Sequence, residues 1–316
     1  MIRLPRWLGL AALCLVAQPA LAQTFPERPV RLVVPYTAGG ATDVGARVLA
    51  EALGQVLPQP VLVENRVGGA GMVAAEYVAR ATPDGHTILF NNTSHAVLRA
   101  VVPNAPIDPI RQLSAVSIIS EMPMVMLVSK DFPAQDGRGF INAVRAAPGR
   151  FDYGSTGGGG TLGMAALLFL RTTGLAMNEI PYRGGAPATL DVAAGRIALV
   201  FDIALTGLQT YKGGQARAFA VSGPERSPAA PEVPTWREIG VEAEMVVWQA
   251  IFVPVATPAP IKAALHAAVQ RVQQGEALRR KWMELGVDRV LAVPPEESDR
   301  YVLRDVERWE GLMAGR

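Results

Sequence analysis

The sequence predicts an exported α/β protein built as two lobes, and three observations carry that prediction. Half of the 316 residues are hydrophobic while only 6% are aromatic, and Ala, Val and Leu are abundant, which suits a packed α/β core rather than a disordered or all-β chain. Short β-branched runs repeatedly end in polar or glycine-rich loops that open helical patterns. Two long apolar stretches, one around residue 122 and one around residue 247, interrupt these units and read as crossings between lobes.

The N-terminus carries Arg3 and Arg6, an apolar run from Trp7 to Ala17, Pro19, and the small-residue tripeptide Ala20-Leu21-Ala22. This pattern predicts a secretory signal peptide over residues 1–22, cleaved after Ala22. The run is too short to remain as a membrane span, and no later run approaches the roughly 20 apolar residues a span needs. The single cysteine, Cys14, sits inside the run behind Leu13, without the small preceding residue of a lipid-anchor signal, so no anchor is expected. A mature chain without cysteine has no disulfide and must rely on its core, which about 290 residues can supply. Loss of Arg3 and Arg6 takes the formal charge of +2 to about zero, leaving no basic surplus for nucleic acid or acidic membranes.

Along the chain, Val30 to Val34 reads as a strand ending at Pro35, followed by Tyr36, the Gly39-Gly40 pair, and Thr42-Asp43 where a helix N-cap belongs. Asp43 to Leu57 keeps apolar residues on one helical face. Val61 to Val63 is a second strand, and Glu64 to Gly71 a second glycine loop opening a helix from Met72 to Ala81. After the Pro83-Asp84-Gly85 turn, Thr87 to Asn91 is a third strand ending in Asn92-Thr93-Ser94-His95. Val116 to Ser129 is the first crossing. A second set of units follows: a helix from Gly139 to Ala147, a strand from Phe151 to Ser155, the glycine run 157–160, a helix from Met164 to Thr173, a strand from Asn178 to Tyr182, and a helix to Ala194. Strands at Ile197 to Phe201, closed by Asp202, and at Ala216 to Val221 lead into a proline-rich surface loop around Pro228 to Pro234. Glu244 to Val255 is the return crossing, and helices over Pro260 to Gln274, Gly275 to Leu285 and Pro295 to Met313 complete the chain. These crossings divide the molecule into lobe 1, residues 23–122 plus 247–316, and lobe 2, residues 123–246.

The glycine loops point toward an anion. A strand, a glycine turn and a helix leave free N–H groups at the helix start, and the absence of a Lys-Ser/Thr ending disfavours a nucleotide phosphate. A tight turn in an ordinary α/β unit is the plain alternative. Gly158, Gly160 and Gly163 match the spacing of a dinucleotide fingerprint, but Glu179 falls within or before its strand rather than at its end, and the motif lies mid-chain. No Gly-x-Ser-x-Gly elbow, no cysteine of the mature chain and no His-Glu-x-x-His metal motif is present, so neither catalysis, a metal nor a cofactor is expected. Asp43 reads as a cap. His95 either lines a crevice beyond the sheet or packs in the core, and His86 and His266 read as structural. Asp202 is positioned for a ligand amine or hydroxyl, and Arg183 for a carboxylate unless it is merely solvated. Tyr36 and Trp248 are apolar walls or core.

Ordered motifs along nearly the whole mature chain resemble one family. They include Pro35-Tyr36-Thr37-Ala38-Gly39-Gly40-Ala41-Thr42-Asp43 with Arg47, Val63-Glu64-Asn65-Arg66 before Gly68-Gly69-Ala70-Gly71, and Pro83-Asp84-Gly85-His86-Thr87. Tyr182-Arg183-Gly184-Gly185-Ala186-Pro187, Phe201-Asp202, Arg226-Ser227-Pro228 and Trp248 follow. The chain resembles the Bug-type periplasmic solute receptors of tripartite tricarboxylate transporters. The resemblance implies a type II periplasmic binding protein, a venus flytrap of two α/β lobes joined by two crossing strands. It implies a monomer in the periplasm that captures a small organic acid and passes it to membrane subunits, with no enzyme activity and no nucleic-acid partner. The expected ligand set is Tyr36, Thr37, Gly39, Gly40, Thr42 and Ala70, with Asn92, Ser94 and His95 after the third strand. From the other lobe come Ser155, Thr156, Gly158, Thr161, Arg183 and Asp202, and from the crossing Trp248. Departures from the family pattern are Val67 in place of Pro, Gly163-Met164 in place of His-Leu, and Leu167 in place of Glu. They leave the middle loop bare and the specific acid unspecified. Two rival readings share these residues: a ligand-occupancy sensor for a membrane signalling protein, and an exported α/β enzyme.

Overall fold

A strand of 16 residues organises the fold, and every one of them is buried. The computed structural model describes residues 25–102, 105–157 and 159–314; the expected signal segment 1–22 and Gly158 lie outside these. In chain order the first units are Val30–Val34 (β1), Ala41–Val56 (α1), Val61–Asn65 (β2), Met72–Ala79 (α2), Thr87–Asn92 (β3), and the short helices Leu98–Val101 (α3) and Pro109–Gln112 (α4). The long strand Leu113–Val128 (β4) follows. The second set is Gly137–Ala146 (α5), Asp152–Ser155 (β5), Thr161–Thr173 (α6), Asn178–Pro181 (β6), Gly185–Ala193 (α7), Leu199–Ile203 (β7), Ala204–Lys212 (α8) and Arg217–Val221 (β8). The chain closes with Val246–Pro254 (β9), Ala259–Gln273 (α9), Glu276–Glu284 (α10), Arg289–Val290 (β10) and Pro295–Ala314 (α11).

β1 lies between parallel partners β2 and β3, the arrangement that βαβ crossovers enforce, and its near-continuous apolar run reflects burial on both faces. β9 runs antiparallel between β3 and β4, so the sheet order is β2-β1-β3-β9-β4-β7-β5-β6. β4 belongs to both halves. Its residues Leu113–Pro123 pair with β9, and Met124–Val128 pair with β7 on one side while Val125–Val128 pair with β8 on the other. The lobe built on β5, β6 and β7 is again parallel, and helices flank each half. The two crossings are stitched together by Ser222, which is fully buried. Its hydroxyl accepts from the Met124 N–H at 2.8 Å and donates to the Met245 carbonyl, while its backbone bonds to the same two residues.

Several expectations from sequence are corrected. The N-cap of α1 is Gly40, not Thr42 or Asp43, and Asp43 in the first turn instead reaches back to accept the Gly39 N–H at 2.9 Å. α6 begins at Thr161, three residues before the apolar periodicity starts. Helix α8 was not anticipated, because it follows β7 with no loop between them and its sequence Ala-Leu-Thr-Gly-Leu-Gln-Thr-Tyr-Lys contains weak helix formers. Asp202 therefore lies inside a strand rather than closing one. The proline-rich loop is not purely surface: Ser227, Ala230, Val233 and Trp236 are buried, and its backbone bonds to both sides of Val221 along the edge of β8.

Trp248 also departs from its expected place. Successive side chains of a strand point to opposite faces, and Trp248 takes the face toward α11, where its indole N–H donates to Asp305 at 2.8 Å and its ring meets Tyr301 edge-on. Gln249 takes the other face, against Gly45 of α1. Trp248 is thus core at the crossing and no wall of a cleft. Its replacement by Ala is expected to lower the unfolding free energy by about 3–5 kcal/mol in urea denaturation, the range for buried Trp truncation; an unchanged midpoint would show that the indole contributes no packing.

Candidate functional site

Four helices begin at one cavity. α1 starts after Gly40, α6 after Gly160, α7 after Gly184 and α8 after Ile203, and in none of them does an N-cap side chain bond to the first-turn amides. The first N–H groups of a helix have no intrahelical acceptor, and each helix start carries roughly half a positive charge. Glycine at three of the four caps keeps side chains out of the space into which these donors point. The result is a cavity of about 290 Å³ lined by Tyr36, Gly40, Ala41, Thr42, Asn92, Thr156, Thr161, Leu162, Gly185, Asp202 and Ile203. A wider cleft of about 860 Å³ shares Tyr36 and Thr156 with it and is walled by Gly68, Ala70, Tyr182 and Arg183, among others.

The sequence-derived residues fall into three groups. Tyr36, Gly40, Thr42, Asn92, Thr156, Thr161 and Asp202 line the inner cavity, and Ala70 and Arg183 line the outer cleft. Thr37, Gly39, Ser94, His95, Ser155 and Trp248 line neither, and Gly158 lies outside the described residues. Ser94 supports the site from behind, its hydroxyl 2.5 Å from that of Tyr36. His95 is core: it stacks on Phe252 with centroids 4.1 Å apart, and burial holds its imidazole neutral, with a pKa lowered to about 3. Ser155 accepts the Gly157 N–H and donates to Glu179, which shapes the glycine loop without reaching the cavity. Gly39 alone of the first pair has a left-handed backbone, with φ of +81°; Gly40 is extended at −77°. Ala41, Leu162, Gly185 and Ile203 complete the lining but were not in the expected set. Gly185 had a signal in the Gly184-Gly185 pair, whereas Ile203 was hidden by the unanticipated helix.

Asn92 joins the two lobes. Its amide donates to Thr42 at 2.8 Å, and its carbonyl accepts from Thr161 at 2.6 Å across the cleft and from the Ser94 N–H at 2.9 Å. Close approach also occurs at Gly184, where an added Cβ would lie 2.2 Å from the Thr37 hydroxyl. The Thr37 and Thr156 hydroxyls are buried with no protein partner. Gly163, one of the departures from the family pattern, is explained locally: a Cβ there would meet the Gly157 carbonyl oxygen at 2.4 Å, so only glycine lets the loop fold over the start of α6.

The electrostatics are unusual for an anion site because no cationic side chain lines the inner cavity. Asp43 sits in the first turn of α1 but faces away, toward Arg47 and Asn65. Burial would raise its carboxyl, yet bonds from Arg47, the Gly39 N–H and Asn65 hold it below the usual range. Asp202 lines the cavity and is 1% exposed. Burial pushes its carboxyl up to about 6, against the pull of Thr206, the Ile203 N–H and Thr189. Among the described residues no group of three or more His, Cys, Asp or Glu is placed to hold a metal ion, and no helix is long and apolar enough to cross a membrane.

Residues 45–316 match the model of the tripartite tricarboxylate transporter family receptor. The chain belongs to this family. The receptor is 31% identical over 301 residues to Protein BugT of Bordetella pertussis, across 94% of this chain and 92% of that one. Among solved structures it superposes on the periplasmic binding protein BugD with a TM-score of 0.88 at 29% identity, covering 92% of this chain and 98% of the other. MatC of Rhodopseudomonas palustris, solved with bound malate, gives 0.85 at 31% identity over 91% of this chain and 99% of its own. Rpa4515 of R. palustris, solved with adipate, gives 0.87 at 31% identity over 91% and 96%. The receptor is accordingly a solute-binding protein of the periplasmic type, with the two-lobed α/β fold, and not an enzyme.

Asp202 yields a pH test on the ligand-free receptor. Its folded pKa near 6 exceeds the unfolded value near 3.8, so the cost of burying its charge is complete above pH 6 and disappears as pH falls toward 4, where the folded state takes up the proton first. Relative to Asp202→Asn, the wild type is expected to gain about 2 kcal/mol of stability between pH 8 and pH 4, read by urea denaturation across that range. A pH-independent difference between the two proteins would mean an ordinary carboxyl.

Proposed function

We propose that the receptor captures a small organic acid in the inner cavity, closes its two lobes on it, and delivers it to the membrane subunits of a tripartite transporter. The convergence of four helix starts without capping side chains on one cavity carries this reading, because helix-start amides without an intrahelical acceptor favour an anionic oxygen. Malate and adipate, the ligands of two solved relatives, share terminal carboxylates and differ in length and in a hydroxyl. The moving bodies are residues 23–122 with 247–316, and residues 123–246, hinged where β4 and β9 pass between them. One ligand carboxylate sits at the start of α1 against Tyr36 and Thr42, and the α6 and α7 starts close from the other side. Residues 1–22 direct export and are then cleaved, and the receptor acts as a monomer.

Ligand contact with both lobes is what biases closure, since only differential affinity shifts a conformational equilibrium. In a thermal-shift screen of mature receptor against mono-, di- and tricarboxylates and aromatic acids, the cognate acid at 100 times its dissociation constant is expected to stabilise by about 2.7 kcal/mol. Its radius of gyration by small-angle scattering falls on binding. If no acid moves the melting temperature, the receptor does not take carboxylates. Gly184→Val places a side chain against Thr37 where the lobes meet, so we expect at least about tenfold weaker binding, equivalent to 1.4 kcal/mol, with the melting temperature of the free protein unchanged. Wild-type affinity in this variant would exclude lobe closure at that contact.

A further inference from the structure

The geometry points to a ligand that presents a hydrogen-bond donor to Asp202, which makes the substrate class a hydroxy- or amino-carboxylate rather than an unsubstituted acid. This rests on the carboxylate reading above and narrows it. Asp202 is buried on β7 yet lines the cavity. Oδ1 accepts the Ile203 N–H at 3.0 Å, and Oδ2 accepts from Thr206 at 2.7 Å and weakly from Thr189 at 3.4 Å. A carboxylate offers about four acceptor positions, so these donors leave capacity unfilled, chiefly on Oδ1.

Oδ1 is the atom turned toward the ligand space. A Cβ built on Gly185 would lie 3.0 Å from it, and one built on Gly40 would lie 3.8 Å from the Gly185 nitrogen. Asp202 is therefore within a few bonds of an acid group seated at the start of α1. Three kinds of ligand atom can occupy that place. A second carboxylate oxygen meets a like charge, with no cationic side chain in the cavity lining to offset it. A methylene leaves Oδ1 with the Ile203 N–H alone and its remaining acceptor position cut off from water, which costs part of a hydrogen bond. A hydroxyl or an ammonium pairs it, and the strong burial of the carboxyl enhances that pairing. Asp202 thus acts as a specificity-determining residue that reads the substituent beside the acid group, while the helix starts read the acid group itself.

The test is calorimetric titration of the mature receptor at pH 7.5 with matched acids: lactate against propionate, and L- and D-malate against succinate, with alanine and aspartate as the ammonium arm. Sites built around a ligand hydroxyl discriminate strongly against its absence, and here the substituted acid is expected to bind at least about 30-fold tighter than its unsubstituted partner. The tighter of the hydroxyl and ammonium arms names the donor. In Asp202→Asn, whose fold is checked by circular dichroism, the side chain is neutral and can itself donate, so the preference collapses to less than about threefold, chiefly through tighter binding of the unsubstituted acid. The wild-type pairs decide the matter without any variant. Equal affinity within each pair overturns the Asp202 assignment and leaves the carboxylate receptor standing, whereas failure of every acid to bind overturns both.

Discussion

Unfilled amides at helix starts are the constraint on which the rest of the site depends. A helix must satisfy its first-turn N–H groups with a cap, water or a ligand, and here four starts that face one cavity lack a capping side chain. Placing them there requires strands that end in register, and β1, β5 and β7 do so because their parallel neighbours fix where each loop begins. Glycine at three caps keeps the space open, and Tyr36, Leu162 and Ile203 supply its apolar lining. Charge is supplied by backbone rather than by Arg or Lys, which frees the cavity from any need to bury a cation.

The two lobes are coupled at several points, among them Ser227 to Asp288 and Gln209 to the Glu284 carbonyl, and most directly at the site and at the crossings. Asn92 bonds to Thr42 on its own side and Thr161 on the other, so the start of α1 and the start of α6 are registered to one amide. Ser222 does the equivalent work where the crossings meet, binding Met124 and Met245 at once.

Much of this was legible in the sequence, and the reasons for the rest are local. The run Val30 to Val34, apolar apart from the exposed Arg31, announced a strand because burial on both faces selects apolar residues, and the antiparallel crossings were visible through their mostly apolar, buried runs. The glycine pairs located the first, second and middle loops. What periodicity does not encode is side-chain direction at a crossing, so Trp248 and His95 could be placed near the site but not turned away from it. Gly40 as a cap has no side-chain signature, which is why Thr42 and Asp43 drew attention instead. Helix α8 was invisible because strand passes into helix without a turn residue, and with it went Ile203 and the true setting of Asp202, whose Thr206 partner lies in that helix.

The interleaving of the sheet has a consequence for how the chain is made. β9 lies between β3 and β4, so these two strands are neighbours of β9 and not of each other. A chain emerging from its N-terminus therefore completes β1 to β3 and all of β4 long before the strand that joins them exists, and the first lobe has no closed sheet until residue 254 is available. Its native pairings are of long range, the kind that are slow to form because a large loop must close first. Until then the edges of β3 and the first part of β4 lack their hydrogen-bonding partner, so the sheet of lobe 1 closes only after lobe 2 has been made.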